Sequence, residues 1–229
     1  MKKDMNHVIS YKKTIYRVGM IATVLILVLV PVQIIFYLLW PHPTTILKWF
    51  ELFQRNCLIG LISFDLLYLI SMLLMTFLYL AMFLALYEEK KVLSIFALSL
   101  GLLGLSIYYS SNTMLEMLSV SRQYALAISE QEKMILLASG QIFYSTWKGT
   151  AYTVYYLLNG ISIILFFIAM IPNKLFRKRT AYIGLSAGIL MLLPATAGII
   201  GMTMALLSLI PWMIFCIFIV QDFNRIIRK

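Results

Sequence analysis

Charge is scarce in this chain, and so are the residues that do most chemistry. Charged residues make up 12% of the 229 positions, with nine acidic side chains, two histidines and two cysteines. That charged share is about half the roughly 25% typical of soluble domains. Hydrophobic residues make up 62%, and the mean hydropathy is +0.92. A soluble fold of this length could not hide so much apolar surface, so lipid must cover part of it. No HExxH, P-loop, GxGxxG or CxxC occurs, so every enzyme class that carries such a motif lacks support. No cofactor is expected.

What the sequence has instead is long uncharged runs. A helix needs about 20 apolar residues to cross a bilayer, and exposed backbone in hydrocarbon must satisfy its own hydrogen bonds, so all spans are helical. Spans are expected at about 18–40, 57–87, 92–110 and 151–171. The second is long enough to tilt or to project past the bilayer. From Ala181 to Val220 no charge occurs over 40 residues. That run reads as two spans, about 181–197 and 201–220, with a turn near Pro194 to Gly201 because Pro and Gly punctuate helices. The first apolar run is longer than a signal-peptide core, and no small-x-small site follows it, so no cleaved leader is expected.

The basic residues alternate between the connecting segments. With the N-terminus inside, 14 of them fall on the inner side: Lys2, Lys3, Lys12, Lys13, Arg17, Lys90, Lys91, Lys174, Arg177, Lys178, Arg179, Arg225, Arg228 and Lys229. Five fall outside: Lys48, Arg55, Arg122, Lys133 and Lys148. Cytoplasmic loops carry the Lys/Arg excess, so both termini are expected in the cytoplasm, which six spans allow. The net charge of +10 is then a topology signal and an attraction to anionic lipid at the inner face. The basic residues are dispersed and no compact polar domain presents them, so nucleic acid is not an expected partner. Cys57 and Cys216 fall near opposite faces, as do His7 and His42. This disfavours a disulfide and leaves metal and redox roles without support.

Two outer segments carry helical signals of their own. Trp40, Trp49 and Phe50 in and beside the segment 41–56 suggest a short interfacial helix. The segment 111–150 is far longer than a turn needs. Met114, Leu115, Met117 and Leu118 have helical spacing, and Ser129 followed by Glu132 is a capping-box pattern opening a second helix toward Phe143. The pair is expected to cap the bundle, or to form a lid or a partner-binding surface.

Asp65 is the one ionisable residue deep within an expected span. A charge at a helix centre costs on the order of 2.5–3.5 kcal/mol on insertion scales, so Asp65 should face the bundle interior. Asp65 lies eight residues, Gln33 seven and Asn159 eight from the outer ends of their spans. At 1.5 Å per residue these groups share a level about 10–12 Å below the outer surface. Tyr155, Tyr156, Thr196 and Ser106 come from shallower levels. The expected site is therefore an outward-facing polar pocket of Asp65, Gln33, Asn159, Tyr155 and Thr196, taking a small molecule or ion. The alternative is a network of interhelical hydrogen bonds that holds the bundle together, typically about 0.6 kcal/mol each.

Gly184-Leu-Ser186-Ala-Gly188 matches the hydrolase elbow G-x-S-x-G. An elbow needs a strand-to-helix turn and a base, and neither is placed near Ser186. The same residues read as Gly-x-x-x-Gly, a close helix-packing face. Pro211 lies inside the last span, where it kinks a helix. The fourteen Met residues read as adaptable packing.

One stretch resembles a known family. Trp147-x-Gly149, Tyr156-x-x-Asn159-Gly160 and Phe176-Arg177-x-x-x-Ala181-Tyr182-x-Gly184-x-x-x-Gly188, with Tyr16-Arg17-x-Gly19 at the first span, resemble a bacterial family of six-span membrane proteins known as a domain of unknown function. The resemblance implies a multi-pass protein of the bacterial cytoplasmic membrane and no particular substrate. The reading is an all-α, single-domain bundle of six spans over 1–229 with a helical outer segment between spans three and four. Its function is small-ligand binding or transport, or else a structural or regulatory role through a protein partner or a second copy.

Overall fold

The computed structural model describes residues 2–193 and 197–228, with residues 2–9 described by their backbone alone. Thr196, and Pro194 of the expected turn, lie outside the described residues. Among the described residues ten α-helices follow in order: α1 (Lys2–Leu39), α2 (Ile46–Arg55), α3 (Cys57–Ser63), α4 (Leu66–Leu86), α5 (Lys91–Ser111), α6 (Met114–Leu126), α7 (Glu130–Trp147), α8 (Thr150–Met170), α9 (Lys178–Leu190) and α10 (Gly198–Arg228). No strand occurs among the described residues.

Among the described residues five helical segments are long and apolar enough to cross a membrane: Ser10–Leu39, Leu66–Leu86, Lys91–Leu126, Glu130–Met170 and Gly198–Arg228. The protein is thus a multi-pass, all-helical membrane protein by length and composition. Helix α9 occupies the place of an expected span, yet it has 13 residues. At 1.5 Å per residue it reaches about 20 Å, short of a hydrocarbon core of about 30 Å.

Two separate apolar cores organise the chain. The larger joins α1, α4, α5, α8, α9 and α10 and includes Ile26, Leu78, Tyr79, Ala97, Phe166, Phe167, Ala187, Phe215 and Ile219. The smaller joins α2, α3, α6 and α7 through Trp49, Phe50, Phe53, Phe64, Met117, Val120, Leu136 and Trp147. Helix α2 earns its place in that core by amphipathicity: Trp49, Phe50 and Phe53 point in, while Leu47, Lys48 and Glu51 point out. Thr45 and Ser129 cap α2 and α7 with hydroxyls that accept the N–H groups of Lys48 and Glu132, satisfying donors a helix start leaves free.

Small residues set the closest approaches in the larger core. A Cβ built on Gly101 would lie 2.6 Å from the Tyr79 ring and 2.7 Å from the Ser162 hydroxyl, and one on Gly104 would lie 2.7 Å from Asn159 Nδ2. Ser162 donates to the Ala97 carbonyl at 2.6 Å, tying α8 to α5. Gly184 and Gly188 seat α9 on Phe167 and Ile164 of α8, where a Cβ would come within 2.2 and 2.8 Å. Ser186 is exposed and donates to the Ile183 carbonyl of its own helix. The G-x-S-x-G match is thus a packing face in a helix interior. Both cysteines are free.

The expected helix from Cys57 to Tyr87 is not continuous. It breaks at Phe64-Asp65, where Asp65 adopts φ +74°, the one non-glycine residue with positive φ among those described. Asp and Asn visit this left-handed region more readily than other L-residues because their short polar side chains can bond locally. The break separates α3, which belongs to the small core, from α4, which belongs to the large one.

Candidate functional site

Asp65 stands where the two cores meet, and it is partly buried. Its carboxylate accepts hydrogen bonds from three helices. Tyr37 of α1 donates its hydroxyl to Oδ1. Tyr108 of α5 donates to Oδ2 at 3.1 Å, and the Trp147 indole N–H of α7 donates to the same oxygen at 2.8 Å. A buried carboxylate needs such partners, because removing it from water without them costs several kcal/mol.

Side chains also donate to backbone carbonyls on either side of the break. Gln33 Nε2 donates to the Ile62 carbonyl at 3.3 Å, and Asn112 Nδ2 donates to the Phe64 carbonyl at 3.3 Å. Tyr109 donates to the Leu69 carbonyl in the first turn of α4 at 2.6 Å. Gln33 therefore bonds the chain next to the break and, among the described residues, makes no hydrogen bond to Asp65. Its Oε1 is buried without a hydrogen-bond partner.

His42, in the segment between α1 and α2, closes the outer rim of this node. Its ring lies 4.6 Å from Tyr37 and 5.9 Å from Trp147, centroid to centroid. Burial pushes its pKa down and the Lys148 ammonium adds to that, while Asp65 and a backbone bond to Ser63 act the other way. Lys148 is exposed and lies over the faces of Tyr144 and Trp147 at 5.0 and 4.9 Å.

The other expected site residues gather elsewhere. A cavity of about 80 Å³ lies between α1, α4, α8 and α10. Its walls carry Tyr68, Ser71, Tyr155, Tyr156, Asn159 and Ser208 beside the apolar Ile26, Met72, Met75 and Trp212. The Tyr68 and Tyr155 hydroxyls are 2.7 Å apart. Tyr79 donates to Asn159 Oδ1 at 2.6 Å, and Asn159 Nδ2 donates to the Tyr155 carbonyl at 3.2 Å. Asp65 and Gln33 do not line this cavity. The single pocket expected from equal depth is therefore two arrangements, because the break at Asp65 displaces the carboxylate from a continuous α4 axis. Tyr108 bridges them: it donates to Asp65, and its ring lies 4.8 Å from Tyr155 and 5.2 Å from Tyr68. A guest of about 80 Å³ is small, comparable to two or three waters at about 30 Å³ each.

A second buried carboxylate is absent from the expected site. Asp222 has no exposed surface, though it lies past the end of the last expected span. Helix α10 continues beyond it to Arg228. Asp222 Oδ2 accepts from the Thr180 hydroxyl at 2.6 Å and the Arg177 backbone N–H at 3.2 Å, so it caps the start of α9. Its Oδ1 lies 3.5 Å from Arg177 Nε and 3.3 Å from Arg225 Nη2. Sequence reasoning also missed Tyr37, His42, Tyr108, Asn112 and Trp147. The available signal was the concentration of Tyr and Trp at the ends of apolar runs, which reads only as an interfacial belt. Among the described residues no group of His, Cys, Asp and Glu could hold a metal ion.

No protein-family model, curated protein or solved structure matches the chain.

Proposed function

We propose that this is a small-guest binding protein of a cell membrane, with the site in the cavity between α1, α4, α8 and α10. The observation that carries this reading is the lining: Tyr68, Ser71, Tyr155, Asn159 and Ser208, all with hydroxyl or amide side chains, line one cavity within an apolar bundle. Intramembrane polar groups that converge on a cavity mark ligand or ion paths. The Asp65 node supports the wall from the side of α5 by way of Tyr108. The guest is a small polar molecule or ion, and its passage across the bilayer would make the protein a transporter.

The topology that accompanies this proposal has six crossings, with α9 in the fifth. Both termini face the cytoplasm, and α6 and α7 lie over the outer face. The 14-to-5 division of basic residues supports it. Cys57 is partly exposed and Cys216 is buried. A membrane-impermeant maleimide applied to intact cells should therefore label the chain at Cys57. Labelling only after cell lysis reverses the topology.

The site is tested by thermal unfolding of purified protein in detergent against ions and small amphiphiles, since a ligand of the native state raises its apparent stability. Ser208→Leu fills the cavity from α10. A compound that stabilises the wild type and not Ser208→Leu supports the reading, and a compound that stabilises both equally removes it.

A specific observation favours a second reading, a subunit acting through a protein partner. The α6–α7 connection exposes Leu126 at 81% and Ile128 at 94%, next to exposed Met134 and Ile135. Cross-linking of the membrane-embedded protein that returns only monomer counts against it.

A further inference from the structure

An open hollow of about 500 Å³ is lined by Arg177, Gln221, Asn224, Arg225 and Arg228, at the end of α10 and the start of α9. We propose that it is a binding site for a phosphate group, carried by an anionic lipid headgroup or free in solution. This goes beyond the cavity described above and does not depend on it.

The basis is how the arginines are held. Asp222 is fully buried and fixed by Thr180 and the Arg177 backbone N–H. Its Oδ1 sits 3.5 and 3.3 Å from the two nearest guanidinium groups, yet it receives no hydrogen bond. Asp222 therefore attracts Arg177 and Arg225 by charge and leaves most of their N–H groups uncommitted. One N–H of Arg177 goes to Gln221 Oε1 at 3.2 Å, which also accepts from Arg179 at 3.2 Å. Arg225 donates to the Leu175 carbonyl. Arg179 is further fixed over the Phe218 ring at 4.5 Å.

Two of the three guanidinium groups that wall the hollow, those of Arg177 and Arg225, thus have positions already set, which lowers the ordering cost of binding. Arg177 and Arg225 share the one carboxylate of Asp222, and Arg228 also lines the hollow, so its lining keeps an excess of positive charge. Guanidinium forks match phosphate oxygens with paired hydrogen bonds. One turn back along α10, Ile217 is exposed at 46%, so an apolar surface that would lie against acyl chains adjoins the hollow. Basic pockets between spanning helices at the cytoplasmic side are suited to phosphate headgroups.

The test uses the full chain in neutral detergent. Thermal midpoints are read against short-chain phosphatidylglycerol, the matching phosphatidylcholine and inorganic phosphate. Phosphatidylglycerol should raise the midpoint more than phosphatidylcholine. Arg228→Gln should weaken that response about fivefold, the worth of one basic side chain near an anionic surface. Arg228 is exposed, so this variant should fold with an unchanged midpoint in the absence of ligand. Lys90→Gln removes a basic residue from the α4–α5 turn and should leave the response unchanged. If inorganic phosphate reproduces the response, the site takes soluble phosphate; if only the lipid does, it takes a headgroup, and both results support the phosphate site. Equal responses to the two lipids with none to inorganic phosphate, or a loss in Lys90→Gln as large as in Arg228→Gln, overturn it.

Discussion

The Trp147 indole N–H donates to Asp65 Oδ2 at 2.8 Å, and the same ring stacks on Phe64 with centroids 4.2 Å apart. One side chain from α7 thus engages both residues at the break, with its polar edge on Asp65 and its face on Phe64. Trp147→Phe keeps an aromatic face and removes the donor. It should cost about 1–3 kcal/mol, the range for leaving a buried acceptor short of a partner. Trp147→Ala should cost about 3–5 kcal/mol, as for other large-to-small core changes. Reversible unfolding in detergent, read by circular dichroism, measures both.

The φ of +74° at Asp65 separates backbone from side-chain effects. Asp65→Asn keeps a residue that tolerates the left-handed region and retains one acceptor oxygen. Asp65→Gly relaxes the backbone and loses the acceptors for Tyr37, Tyr108 and Trp147. Asp65→Ala loses the acceptors and adds strain of about 1–2 kcal/mol. The expected order of thermal midpoints is Asp, then Asn, then Gly, then Ala. An Ala variant as stable as the Gly variant would show that the backbone at this position relaxes freely.

Gly184 and Ser186 give opposite expectations within three residues. A Cβ on Gly184 would lie 2.2 Å from the Phe167 ring, so Gly184→Ala forces α9 and α8 apart and should cost about 1–3 kcal/mol. Ser186 is exposed and bonds only its own helix, so Ser186→Ala should stay within about 0.5 kcal/mol. Loss of a hydrolytic activity in Ser186→Ala would restore the elbow reading.

His42 makes the outer rim sensitive to acid. Its pKa in the folded protein lies below the ordinary value because of burial and Lys148, and the unfolded value is about 6.5. Above that value both states carry neutral imidazole and stability does not change with pH through this group. As pH falls below about 6.5 the unfolded chain binds the proton first, so stability falls, at up to about 1.4 kcal/mol per pH unit, until the folded value is reached. His42→Phe keeps the ring contacts to Tyr37 and Trp147 and should flatten that slope between pH 5 and 7. An unchanged slope would assign the acid sensitivity to another group.

Uncharged runs and capping patterns make much of this architecture legible in the sequence. The helical pieces at α2, α6 and α7 follow from the aromatics Trp49 and Phe50, from the spacing of Met114, Leu115, Met117 and Leu118, and from Ser129 ahead of Glu132. The break at Phe64-Asp65 does not follow, because CLIGLISFDLLYLI carries no Pro and its one Gly lies four residues before the break. Hydropathy cannot see a left-handed residue held by donors from α1, α5 and α7. Asp222 stayed hidden for a related reason. It follows the apolar run and reads as solvated, while its burial comes from Thr180 and Arg177, which are 42 and 45 positions away. Depth counting treated the run from Cys57 to Tyr87 as one continuous helix, and so it put Asp65 and Gln33 in one pocket with Asn159, whereas Gln33 bonds the Ile62 carbonyl next to the break and only Asn159 lines the cavity.

Two apolar cores, joined at Asp65 and through Met114, which packs against both, predict two units of cooperativity. The lobe built on Trp49, Phe50, Phe64 and Trp147 can open without exposing the bundle around Leu78, Phe166 and Ile219. Amide exchange should therefore reach α2, α6 and α7 at a lower free-energy cost than α4 and α8. Loosening Asp65 should lower only the first of those two costs.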